Sequence, residues 1–75
     1  MPRQPARENL EIRVLSTGKG WRVDACEVGA LTTRRISGHT ARQGAILTAQ
    51  RLAAAMRNLD YYGYVRVMIE AEKES

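Results

Sequence analysis

Apolar and polar residues alternate along Leu10-Glu11-Ile12-Arg13-Val14 and again along Trp21-Arg22-Val23-Asp24-Ala25. A period of two puts successive side chains on opposite faces, so each stretch predicts a strand buried on one side only. Between them, Ser16-Thr17-Gly18-Lys19-Gly20 has the glycines and the length of a hairpin turn. Val28-Gly29-Ala30 predicts a second turn, and Leu31-Thr32-Thr33-Arg34-Arg35-Ile36 is rich in β-branched residues and predicts a third strand of open register. Ser37-Gly38-His39 breaks that pattern.

The period then changes to that of a helix. Ala41, Ala45, Ala49, Leu52, Met56 and Leu59 fall along one side at helical spacing, while Gln43, Gln50, Arg51 and Arg57 point elsewhere. Thr40 followed by Gln43 fits a capping box at the start, and the alanines keep helix propensity high despite Gly44. Leu59-Asp60-Tyr61-Tyr62-Gly63 closes the helix. From Tyr64 to Ala71, Val65, Val67 and Ile69 alternate with Arg66 and Glu70, which predicts a fourth strand.

The predicted order is β-β-β-α-β, an α+β fold in which a three-stranded antiparallel meander carries one helix on one face. A fourth, C-terminal strand returns to an edge of the sheet. Residues 1–9, with both prolines and no periodicity, read as a basic arm; 10–71 form one domain; 72–75 are a charged tail that frays. Leu10, Ile12, Val14, Trp21, Val23 and Ala25 are expected to face the helix, with Trp21 at the centre of the core. The open face then carries Glu11, Arg13, Arg22, Asp24 and one of Arg34 or Arg35. Leu47 and Ala54 lie on the helix side away from the apolar stripe, where Leu47 suits a partner surface or a homodimer.

Composition narrows the function classes. In 75 residues there is room for one small domain, which excludes a two-domain enzyme or a doubly wound nucleotide-binding fold. A hydrophobic share of 44% with 27% charged residues is that of an ordinary globular chain rather than a disordered one. No apolar run approaches the roughly 18 residues of a membrane span, and the start has no apolar leader segment, so a non-membrane protein is expected. With Cys26 as the single cysteine, no internal disulfide can form, which suits a reducing cytoplasm.

The net charge of +4 conceals an asymmetry: residues 67–75 hold Lys73 against Glu70, Glu72 and Glu74, so the body is more basic than the total. Its bases are almost all arginine, the better fork for phosphate or a guanine edge. Basic bodies favour polyanions because neutralising phosphates releases counterions. Arg13, Arg22, Arg34 and Arg35 from the strands, with Arg3 and Arg7 from the arm, are therefore the candidate nucleic-acid contacts. The alternative for the strand residues is that Glu11, Arg13, Arg22 and Asp24 merely pair across an ordinary solvated face.

Other chemistry finds little support. Gly18-Lys19-Gly20 lacks the spacing and following helix of a phosphate-binding loop. His39 reads as a turn residue, and one histidine with one cysteine cannot make a protein metal site of usual ligand count. Cys26 has no histidine near it in sequence. Tyr61, Tyr62 and Tyr64 suit either base stacking or a helix–strand junction that bridges core and water.

Gly20-Trp21-Arg22-Val23, the short third strand, Thr40 with Ala45, Ala49, Leu52 and Ala53, and the closing valine-rich strand resemble a family of small bacterial proteins of unknown function. Its pattern is a W-x-V strand, a T-x-x-x-A helix opening and a βββαβ order; the resemblance spans roughly residues 10–70 and implies a fold. The β-β-β-α core is also similar to the arm-binding domains of tyrosine-type integrases and to plant ethylene-response DNA-binding domains. These families read the major groove with a sheet face, which implies that role for Arg13, Arg22, Arg34 and Arg35. Glu11, Asp24 and the added fourth strand depart from their pattern.

The expectation is a small non-enzymatic module that binds nucleic acid, DNA in particular, through the sheet face and arm, without cofactor or metal. The alternative is a protein-interaction module, of phage or regulatory type, that docks by the helix face around Leu47 or by an open strand edge.

Overall fold

The computed structural model describes residues 9–29 and 33–71. Its elements are β1 (Leu10–Thr17), β2 (Gly20–Glu27), β3 (Thr33–His39), α1 (Arg42–Asn58) and β4 (Val65–Ile69). Class and element order are those predicted, α+β with one helix. Residues 1–8, which hold Arg3 and Arg7, lie outside the described residues, as do residues 30–32 and 72–75.

β1, β2 and β3 form the antiparallel meander, but the whole sheet is mixed, with order β3-β2-β1-β4 and β4 parallel to β1. The physical cause is the helix. In 17 residues α1 runs about 25 Å, long enough to carry the chain from one end of the sheet to the other. A strand entered after that return points the same way as the strand before it. β4 is thus parallel to β3, and it reaches the free edge of β1 by crossing over β2 and β1.

The register sorts side chains by face. Val14 pairs with Val23, Ile12 with Ala25, and Arg13 with Asp24. On the other side of β1, Leu10, Ile12 and Val14 stand opposite Val65, Val67 and Ile69. Leu10, Ile12, Val14, Val23, Val65 and the helix alanines Ala45, Ala49 and Ala53 make the buried core. Those alanines recur every four residues, and their small side chains let the helix axis lie close to β1 and β2.

Several local expectations shift. Trp21 is only partly buried; it packs on the margin of the core, with the Arg42 guanidinium 5.7 Å from its ring, while Ile12, Val14 and Val23 occupy the centre. Its position beside the β1–β2 turn places it at the end of the sheet. The stripe runs through Ala53 rather than out to Leu59, which is 64% exposed, and Leu52 and Met56 flank it. No capping box forms. The N-cap is Ala41, one residue later than Thr40, and no side chain bonds to the free N–H groups there. Ser37-Gly38-His39 continues β3 instead of ending it.

Beyond the helix, Asp60 takes the left-handed conformation at φ 53° and donates its N–H to the Arg57 carbonyl, a turn that short polar residues tolerate. Arg57 in turn donates to the Val65 carbonyl and ties the helix end to β4.

One glycine is dictated by close approach. A Cβ at Gly20 would collide with the His39 carbonyl oxygen, where the end of the hairpin meets the end of β3. Gly18, two residues earlier, faces open space. Gly20→Ala is therefore expected to destabilise the fold by about 1–3 kcal/mol, and Ala49→Leu, which overfills the helix–sheet seam, by a similar amount. Gly18→Ala should stay within about 0.5 kcal/mol of wild type in urea titration.

Candidate nucleic-acid interface

α1 covers one face of the sheet, and no other described element covers the opposite face. The alternation of β1 and β2 that buries Ile12, Val14 and Val23 necessarily turns Glu11, Arg13, Arg22 and Asp24 outward. β4 adds Arg66 opposite Glu11 and Met68 opposite Arg13. β3 contributes Arg35, whose register partner is Asp24.

A bulge settles the third strand. Asp24 pairs with Arg35 and Val23 with Ser37, so Ile36 has no partner on β2. Thr33 and Arg35 therefore look out from the open face. Arg34, paired with Ala25, faces the helix side and borders a separate hollow with Ala25, Leu52, Met56 and Tyr62. Of the two β3 arginines it is Arg35, not Arg34, that shares the open face with the other arginines.

The cations and anions of the open face lie at different depths. Arg13 donates to Glu11 at 2.8 Å, Arg66 donates to the other Glu11 oxygen at 3.1 Å, and Arg22 Nε stands 3.1 Å from Asp24 Oδ2. The arginine side chains are 40%, 57% and 44% exposed, whereas Glu11 keeps 14% and Asp24 6% of its exposure. Two carboxylates are sunk into the face and the guanidiniums lie over them. Arg35 is exposed and has no ion pair among the described residues. Within the strands four cations thus meet two anions, and a third carboxylate, Glu70 just past β4, accepts the Ser16 N–H.

The Glu11 pairing shows in the acidity of its carboxyl. The Arg13 hydrogen bond, with the nearby Arg66 charge, outweighs partial desolvation and lowers the Glu11 pKa below its ordinary value. The same contact raises that of Arg13.

Asp24 is less well served. Its Oδ1 is buried without a hydrogen-bond partner, and the Arg22 Nε–H is not aligned on Oδ2 as a hydrogen bond. An orphaned buried acceptor costs about 1–3 kcal/mol. It lies at a hollow of about 300 Å³ lined by Arg13, Leu15, Arg22, Asp24, Thr33 and Arg35.

Arg66 and Tyr64 belong to this face as well, and sequence reasoning left Arg66 out of the candidate contacts. The signal was present: Arg66 alternates with Val65 and Val67 as Arg13 does with Ile12 and Val14. The Arg66 guanidinium sits 5.4 Å from the centre of the half-exposed Tyr64 ring. Tyr62 instead packs on the core and donates to Glu27 at 3.2 Å; desolvation foremost, with this bond, raises its pKa. Tyr61 meets it edge to face.

The remaining candidates lie apart. Leu47 is 48% exposed on the outer side of α1, and its neighbours Gln43, Gln50 and Arg51 are polar, so it forms a single apolar spot on that helix. His39 stands in β3 with its Nε2 2.8 Å from Ser37 Oγ. Among the described residues no group of three His, Cys, Asp or Glu can hold a metal ion, and no helix is long and apolar enough to cross a membrane. No protein-family model, curated protein or solved structure matches the chain.

The depressed Glu11 pKa has a consequence for stability. A carboxylate whose pKa is lower in the folded state stabilises the fold above its unfolded pKa, and that contribution disappears as pH falls through the folded value. The melting temperature of the wild type should therefore drop as pH falls below the ordinary glutamate value of 4.5. Glu11→Gln should show a smaller drop over that interval in thermal melts followed by circular dichroism.

Proposed function

We propose that the protein binds nucleic acid on the open face of its sheet, and single strands in preference to duplex. The observation that carries this reading is the stacking of depths just described: Arg13, Arg22, Arg35 and Arg66 outermost, Glu11 and Asp24 beneath. A strand laid on the face meets guanidiniums first, each with donors still free for phosphate oxygens.

The preference for single strands comes from width. Four strands spaced about 4.8 Å apart span roughly 14 Å between outer axes, before side chains are added. The major groove of B-DNA is about 12 Å wide. The resemblance that the sequence bears to integrase arm-binding and plant ethylene-response domains implies the use of a sheet face. β4, however, broadens the face beyond what a groove admits flat. A single strand has no such limit, and Tyr64 beneath Arg66 supplies a cation–aromatic ledge of the kind on which bases stack.

The test is fluorescence anisotropy of a labelled single strand and of its duplex at several salt concentrations. The single strand should bind more tightly, and its affinity should fall with a log–log slope of about −0.7 per phosphate contacted. Arg35→Ala and Arg66→Ala should each flatten that slope by about 0.7. Arg34→Ala, on the other side of the sheet, should leave it unchanged. Binding that is absent at low salt, or indifferent to salt, overturns the reading.

A further inference from the structure

Resting on the nucleic-acid reading, we infer that the open face holds a segment of about five unpaired nucleotides laid across the β-strands, one phosphate to each strand. The register carries this inference. Each strand puts one arginine on the open face: Arg66 from β4, Arg13 from β1, Arg22 from β2 and Arg35 from β3. Arg66 stands opposite Glu11, two residues from Arg13 on β1. Arg13 stands opposite Asp24, two residues from Arg22 on β2, and Asp24 in turn stands opposite Arg35. Every step along the series Arg66, Arg13, Arg22, Arg35 is therefore a diagonal between neighbouring strands, about 7–8 Å long.

The series sets the direction of the bound chain. Among the described residues no β-strand carries a second arginine on this face. A nucleotide chain laid along β1 or β2 would meet one cation, whereas a chain laid across the sheet meets four in succession. The step between them is close to the separation of successive phosphates in an extended single strand, and the flexible arginine stems take up the difference. Glu11 and Asp24 lie beneath this line, shielded by the guanidiniums that pair with them. Tyr64, beside Arg66, gives the β4 end of the line its stacking ring. The only tyrosine or tryptophan in β1, β2 and β3 is Trp21, which packs on the margin of the core.

The experiment titrates thymidine oligomers of increasing length into the intact protein, as competitors of a labelled strand, at several salt concentrations. The log–log salt slope should steepen with each added nucleotide up to about five, which bring four phosphates, and then level at about −2.8. Arg35→Ala and Arg66→Ala remove the two ends of the series, and each should shorten the length at which the slope levels by one nucleotide. Arg13→Ala opens a gap inside the series, so it should make the slope shallower while that length stays unchanged. The length series on the wild type needs no variant, so a poorly folding substitution leaves the test intact. A slope that still steepens beyond about eight nucleotides, or levels at about three or fewer, overturns the crossing and leaves nucleic-acid binding in place. Equal shortening by all three substitutions does the same. No binding of any oligomer at low salt removes both.

Discussion

A single helix can seal only one face of a sheet, and almost everything else about this protein follows from that constraint. Ala45, Ala49 and Ala53 seat α1 against Ile12, Val14 and Val23, and all are fully buried. Because strand side chains alternate, sealing that face commits the intervening residues to the other. A slip of one residue in β1 would drive Arg13 under the helix and Val14 into water. The charge pattern of the open face is thus the complement of the core, held in place by the same register.

The open face is neither a bare cationic patch nor a neutral mosaic. Its carboxylates lie deeper than its guanidiniums, because Glu11 and Asp24 are short side chains on the two inner strands β1 and β2 while arginine reaches past them. Such an arrangement keeps the arginines oriented without cancelling them. It also leaves one awkward group, the Asp24 Oδ1, buried without a donor. Unsatisfied buried polar atoms are rare in folded proteins, and they concentrate where structure is arranged for something other than stability. It lies at a hollow lined by three of the open-face arginines, Arg13, Arg22 and Arg35.

How far the chain could be read in advance depended on how local the deciding interaction was. The β1–β2 hairpin was legible because alternation and a glycine turn both lie within a few residues of each other. The helix was legible for the same reason, though its first turn was not: Thr40 and Gln43 have capping spacing, yet the helix begins after Ala41. β3 was the least legible element. Its open-face arginine depended on a bulge at Ile36, which exists only through pairing with β2, so adjacent Arg34 and Arg35 could not be assigned to faces in advance. Trp21 was misplaced because size suggested the centre, whereas its position at the strand end set its burial.

Alternation and helical periodicity, which act between near neighbours, determined by themselves that this chain is α+β, which residues enter the core from β1 and β2, and that Arg13 and Arg22 share an outward face. The tertiary structure alone decided that β4 runs parallel beside β1, that of the two β3 arginines Arg35 and not Arg34 shares the open face, and that the carboxylates lie beneath the arginines. Those outcomes depend on pairings between residues far apart in the chain and on the return path of a helix across the sheet, and no local pattern of apolar and polar positions encodes either.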